Sequence, residues 1–238
     1  MIQQLPLDSF LFIDVETVSQ KHKFEELDDV TAQLYADKEG RRKDENTSIE
    51  QHYEDRAAIL AEFGKIICIS IGIIAESNRE KVIRIKSFYG DDEKVVLHDF
   101  FQLLNKMSNK KPIFCGHNVK EFDIPYICRR AIVNQLVLPD SLQIYGKKPW
   151  EVSFVDTMEL WKFGDYKNYI SLKLLAHVLQ VPTPKDDIDG SMVGKVYWEE
   201  NDLERIRIYC QKDVLTVAQI VLRFRNEPLL PEDNIVFV

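Results

Sequence analysis

An α/β or α+β domain built around one mixed sheet is the fold this sequence predicts, and two observations carry that prediction. Short apolar runs rich in β-branched and aromatic residues recur at 9–14, 65–75, 82–89, 112–115 and 152–156, the length of buried strands. Between and after them, 93–107, 121–135, 171–180 and 199–225 place apolar residues at helical spacing. Strands first, then strands alternating with helices, indicate a sheet flanked by helices. The 238 residues, 45% hydrophobic and 29% charged, are ample for a buried core, and we expect one domain over 1–238.

The first strand, Ser9-Phe-Leu-Phe-Ile-Asp14, is short, apolar and aromatic. The run 65–75 pairs naturally with the alternating run 82–89 as a hairpin, with turn chemistry near Ser77-Asn78. The helix over 93–107 has Asp91 or Asp92 as its cap. Pro112-Ile-Phe-Cys115 reads as the next buried strand and leads through Gly116-His117-Asn118 into the helix 121–135. Residues 152–156 read as a further strand, and Thr157 is placed to cap a short helix through Trp161. Ser171 starts the helix 171–180, and Pro228 lies beyond the end of the long helix 199–225. Residues 21–63 stand apart, with no Pro, one Gly, and 7 basic against 12 acidic residues. They read as a helical insertion after the first strand, either a solvated arm or a lid beside a site.

Charge and cysteine usage narrow the class. With 31 Lys plus Arg and 39 Asp plus Glu the net charge is −8, which excludes a protein that coats nucleic acid by bulk electrostatics. The insertion accounts for −5 of it. The first 20 residues hold no Lys or Arg, as a secretory leader would. The longest apolar run, Ile66 to Ala75, is about half the ~20 residues of a membrane span. The four cysteines, Cys68, Cys115, Cys128 and Cys210, have no CxxC spacing. A reducing cytoplasm and no membrane partner are the expectation.

Three motifs carry chemistry. Asp14 and Glu16 end the first strand, two apart and therefore on one face. Adjacent carboxylates repel unless a cation joins them, and Mg²⁺ or Mn²⁺, hard ions that take oxygen ligands, are the usual solution. Gly116-His117-Asn118-Val-Lys-Glu-Phe122-Asp123 follows a buried strand and opens a helix, with Asp123 in the first turn and Asn118 placed as a plain helix cap. Tyr209-Cys-Gln-Lys-Asp213 stacks a hydroxyl and a carboxylate on one helix face. Each also reads as ordinary structure: a wet strand end, a first-turn acid, a half-buried Tyr beside a surface Asp.

Taken together and in this order, Asp-x-Glu, Asn-x-x-x-Phe-Asp and Tyr-x-x-x-Asp resemble the three motifs of the DEDD 3′–5′ exonucleases, which have an RNase H-like fold. The chain further resembles the stand-alone bacterial proteins predicted as exonucleases related to the proofreading domain of family-B DNA polymerases. Glu62-Phe-Gly64-Lys65-Ile66, Lys148-Pro-Trp150, Asp156-Thr157 and Asp187-Ile-Asp189-Gly190-Ser191 belong to that likeness. Tyr209, four residues before Asp213, implies the tyrosine subtype (DEDDy), because the histidine subtype would place His at Ile208.

The resemblance implies two divalent cations, Mg²⁺ or Mn²⁺, held by Asp14, Glu16, Asp123 and Asp213, with Asp14 bridging and Tyr209 orienting the attacking water. It implies single-stranded 3′ ends as substrate, DNA rather than RNA, release of 5′-mononucleotides, and replication or repair proteins as partners. Candidate substrate contacts are Thr17, Asn118, Phe122, Lys148 and Trp150. Phe122 also reads as a core residue and Trp150 as an anchor holding its loop to the core. Asp156 reads as a structural carboxylate or a fifth ligand, and Asp189 as part of a turn near the site. An exoribonuclease, a non-catalytic nucleic-acid-binding module and a hydrolase of small phosphoesters are the competing functions.

Overall fold

In chain order the elements are β1 (Phe10–Ser19), α1 (Asp29–Glu39), α2 (Ile49–Arg56), β2 (Gly64–Ser77), β3 (Glu80–Tyr89), α3 (Glu93–Lys106), β4 (Ile113–Gly116), α4 (Asp123–Val133), β5 (Val155–Asp156), α5 (Thr157–Lys162), α6 (Leu172–Val178), α7 (Val193–Trp198), α8 (Leu203–Phe224) and β6 (Ile235–Phe237). The computed structural model describes residues 2–77, 80–165, 167, 169–182 and 188–238.

The strands form one sheet in the order β5-β4-β1-β2-β3-β6. β1, β2 and β3 are an antiparallel meander, β4 and β5 run parallel to β1, and β6 runs parallel to β3. This mixed α/β architecture, a central sheet with helices on both faces, is the RNase H-like arrangement the resemblance implies. Alternation along β1 divides the faces. Leu11, Ile13 and Val15 pack with Leu97, Phe100 and Phe101 of α3 and Ile127 of α4. Phe12 packs with Val214, Val217 and Val221 of α8. Asp14 and Glu16 share the parity of Phe12, so they face α8. Among the described residues no helix is long and apolar enough to cross a membrane.

One polar knot ties the other face together. Arg130 donates from Nε and Nη2 to both oxygens of Glu93, and both residues are buried. Glu93 also accepts from the Ile66 N–H and from Asn134, while Arg130 Nη1 donates to the Ala61 carbonyl. The pair is fully hydrogen-bonded, which is what a buried ion pair requires.

Several elements depart from expectation. β1 extends to Ser19, whereas the strand before α5 shrinks to two residues. As expected, Asp92 caps α3 and Ser171 caps α6. Asp156, not Thr157, caps α5 by accepting the Met158 N–H. The helix expected over 199–225 is α8, which begins only at Leu203: Asn201 turns left-handed (φ 52) after the separate short helix α7, and Asp202 caps α8 on the Arg205 N–H. Asn78, of the expected hairpin turn, lies outside the described residues.

The insertion is more than a solvated arm. Tyr35, Tyr53 and Phe63 are buried in a cluster of their own with Phe24. Their rings meet edge-on at 4.9–6.0 Å. The cluster is moored to the domain where Tyr126 donates to the Ala58 carbonyl and the Gln20 N–H donates to the Phe63 carbonyl.

Candidate active site

Asp14 and Glu16 sit where β1 passes under α8. Glu16 pairs with Cys68 of β2, and the register then skips Ile67, so Thr17 pairs with Ile66. Such a bulge bends the strand beside the carboxylates. Asp14 Oδ2 is enclosed and has no hydrogen-bond partner, one of three such side-chain atoms among the described residues.

Asp123 arrives from the other side of β1. Gly116 ends β4, and a Cβ there would stand 2.7 Å from Val119 Cβ and 3.0 Å from the Ile13 carbonyl oxygen, so only glycine lets the following loop fold back against β1. Asp156, 3% exposed, holds that loop: Oδ1 accepts from the Asn118 and Met158 N–H groups (3.0 Å each) and Oδ2 from the Lys120 N–H (3.2 Å). His117 secures its start. The Ile170 carbonyl (2.8 Å) can only accept, so His117 Nε2 carries the hydrogen, and Nδ1 lies 2.9 Å from the Thr157 hydroxyl. Burial lowers the His117 pKa and keeps the ring neutral. Phe122 then precedes α4 with no side-chain cap bond, and Asp123, buried, takes the first helical position.

α8 supplies the roof. Tyr209 bonds Asp213, and Asp213 acts electrostatically on both Glu16 and Asp123. The Cys210 thiol donates to the Asp14 carbonyl (3.4 Å) and interacts with Cys68. Asp14, Glu16 and Cys210 each offer an atom within 4.8 Å of the others. Beneath α8 a buried polar strip continues to β3: the Ser70 and Ser87 hydroxyls are 2.8 Å apart, and Gln211 donates to Ser87.

The electrostatics of Asp14, Glu16 and Asp123 are those of buried carboxylates crowded together. Burial, then Asp123, pushes the Asp14 carboxyl up to about 7. Burial, with Asp156 and Asp213 adding, pushes Asp123 up to about 7. Glu16 is raised well above the ordinary value by burial, then by Asp14 and Asp213. No cation is among the groups that dominate these shifts. Burial and the same carboxylates hold the Tyr209 hydroxyl far above its ordinary range, so it stays protonated. The carboxylate oxygens, one of them orphaned and enclosed, fit a hard divalent ion, and the Cys210 thiol beside them is turned to the Asp14 carbonyl.

The structure therefore brings together Asp14, Glu16, Asp123, Tyr209 and Asp213. The remaining expected residues scatter. Thr17 points to the opposite face, toward Tyr126. Asn118 does not cap α4 with its side chain; its backbone is left-handed (φ 65), and its carbonyl accepts the Phe122 N–H. Phe122 is half-buried, its ring 5.3 Å from that of Tyr126 on the core. Trp150 is 77% exposed, so it does not anchor its loop, and Lys148 lies over its ring. That loop borders a cavity of about 440 Å³ at the start of β4 with Lys111 and Leu104, the end of the strand away from Asp123. Asp156 is the structural carboxylate of the 116–122 loop. Asp189, exposed, caps a turn on the Ser191 N–H, while 183–187 lie outside the described residues. Cys210, Ser70, Ser87 and Gln211 had no signal in the sequence, since only the packing of α8 on β2 and β3 brings Ser70 and Ser87 beneath Cys210 and Gln211.

With this geometry established, comparison with known proteins is informative. The family described as predicted 3′–5′ exonuclease related to the exonuclease domain of PolB matches residues 58–227. The chain belongs to that exonuclease family. The match takes in Asp123, Tyr209 and Asp213, and Asp14 and Glu16 of this exonuclease-family chain lie before it. A solved structure of the family B DNA polymerase from the hyperthermophilic archaeon Pyrobaculum calidifontis is similar at 17% identity and a TM-score of 0.49. The similarity covers 90% of this chain and 24% of the polymerase. No curated protein matches the sequence.

Proposed function

We propose that the chain is a metal-dependent 3′–5′ exonuclease that removes 5′-mononucleotides from single-stranded DNA ends. The observation that carries the reading is the convergence of Asp14, Glu16, Asp123 and Asp213 between β1 and α8, where burial and mutual repulsion raise Asp14, Glu16 and Asp123, around an enclosed and unpartnered Asp14 Oδ2. The four carboxylates would hold two Mg²⁺ or Mn²⁺ ions. Bound there, such ions supply an activated water at neutral pH and positive charge at the scissile phosphate.

The chain's own groups do the rest. Asp156 and His117 fix the loop that delivers Asp123, so the acids are positioned before substrate arrives. Tyr209, protonated across the working pH range, orients a water through its hydroxyl and does not abstract a proton. Asp213 accepts from that hydroxyl and fixes its direction. The relationship to a DNA polymerase's exonuclease domain supports DNA over RNA.

The test is incubation of 3′-ended DNA and RNA oligonucleotides with the chain and Mg²⁺, Mn²⁺ or EDTA. DNA should shorten in either metal, more slowly or not at all as RNA, and not in EDTA. RNA cleaved faster than DNA overturns the substrate assignment. No shortening of either overturns the exonuclease reading.

A further inference from the structure

The connection between α5 and α6 presents an aromatic and basic surface that the acidic site does not use. We propose that Lys162, Phe163 and Tyr169 form a stacking platform for the single-stranded nucleic acid leading into the site, an inference that rests on the exonuclease reading. Tyr169 is 68% exposed, and the Lys162 ammonium lies 4.2 Å from its ring centroid. A largely exposed ring beside a cation takes a base by stacking and its phosphate by charge. Phe163 is 88% exposed and held in the left-handed region (φ 44), with Gly164 following at φ 95. A bulky aromatic in that conformation is strained. Phe163 gains no burial in return.

The platform is coupled to the acids. Ile170, the residue after Tyr169, accepts the His117 Nε2 hydrogen bond, and His117 begins the loop that Asp156 holds and that ends at Asp123. α5 itself starts at Asp156. Both ends of the platform are therefore fastened to the segment that positions Asp123. The Lys148–Trp150 pair has the same chemistry but stands at the far end of β4. The partner that fits is an unpaired strand, whose bases offer their faces.

Two exposed positions allow a test with little risk to folding. Tyr169→Ala and Phe163→Ala are compared with the parent and with Tyr169→Phe, using anisotropy of a fluorescein-labelled single-stranded oligonucleotide in Ca²⁺. Loss of a stacked base should weaken binding roughly tenfold in Tyr169→Ala. Tyr169→Phe should bind as the parent does. In Mn²⁺ the KM for the oligonucleotide should rise in parallel. Cleavage of thymidine 5′-monophosphate p-nitrophenyl ester, too short to reach the platform, should stay unchanged. Unchanged oligonucleotide binding in both alanine variants, or no binding by the parent, overturns the platform. Tyr169-dependent binding without cleavage of either substrate supports the platform and overturns the exonuclease reading.

Discussion

Replacing Asp123 by Asn should make the metal-free protein more stable at alkaline pH while weakening its response to divalent ions. The folded carboxyl is raised from 3.8 to about 7 by burial, with Asp156 and Asp213 adding to it. Each pKa unit is worth about 1.4 kcal/mol, so ionising Asp123 without a cation costs on the order of 4 kcal/mol. Because the value is raised on folding, this group's stability is complete below pH ~4 and is lost as pH rises through about 7. Asp14 and Glu16 remain in the variant and redistribute their protons, so the gain is a fraction of that figure. At about 2–4 °C per kcal/mol for a chain of this size, several degrees are expected. The assay is thermal unfolding in EDTA from about pH 5 to pH 8, repeated with Mn²⁺. The parent should lose Tm as pH rises and regain it with Mn²⁺. Asp123→Asn should have the flatter profile, stand higher in EDTA at the alkaline end, and respond less to metal. A variant less stable than the parent in EDTA at pH 8 refutes the reasoning.

Other substitutions test separate parts of the structure. Tyr209→Phe should slow oligonucleotide cleavage without changing Mn²⁺ affinity, and neither enzyme's pH–rate profile should show a tyrosine ionisation below pH ~10. Asp156→Ala leaves three backbone N–H groups without their acceptor, which should cost roughly 1–3 kcal/mol by denaturant unfolding and lower kcat through the displaced Asp123 loop. Arg130→Met strands the buried Glu93 carboxylate and should cost about 3–5 kcal/mol, while the double variant with Glu93→Met should recover part of the loss.

The parts of the site legible in the sequence are those fixed by local spacing. Asp14 and Glu16 alternate along a strand, Asp123 opens a helix behind a Gly-led loop, and Tyr209 and Asp213 lie one helical turn apart. The parts that were not legible depend on register or distant packing. The bulge at Ile67, and the buried line from Cys210 through Ser70 and Ser87 to Gln211, exist only once β1, β2, β3 and α8 are assembled. β6 is too short for an alternation to register, and Asn201 breaks an otherwise continuous helical pattern. In the insertion, Phe24, Tyr35, Tyr53 and Phe63 are too far apart in sequence to declare a cluster, so the charges between them dominated the reading. Trp150 shows the opposite failure. A basic-aromatic tripeptide near an expected strand suggested either substrate contact or a core anchor, and the fold carries it, exposed, to the other end of β4.

The central claim is that four crowded carboxylates constitute a two-ion site. Free Mn²⁺ measured by electron paramagnetic resonance during titration of the EDTA-stripped protein at about pH 8 tests it directly. Two Mn²⁺ bound per chain, with binding lost in Asp14→Ala and weakened as pH falls below about 7, is the predicted result. No bound Mn²⁺, or undiminished binding in Asp14→Ala, contradicts it.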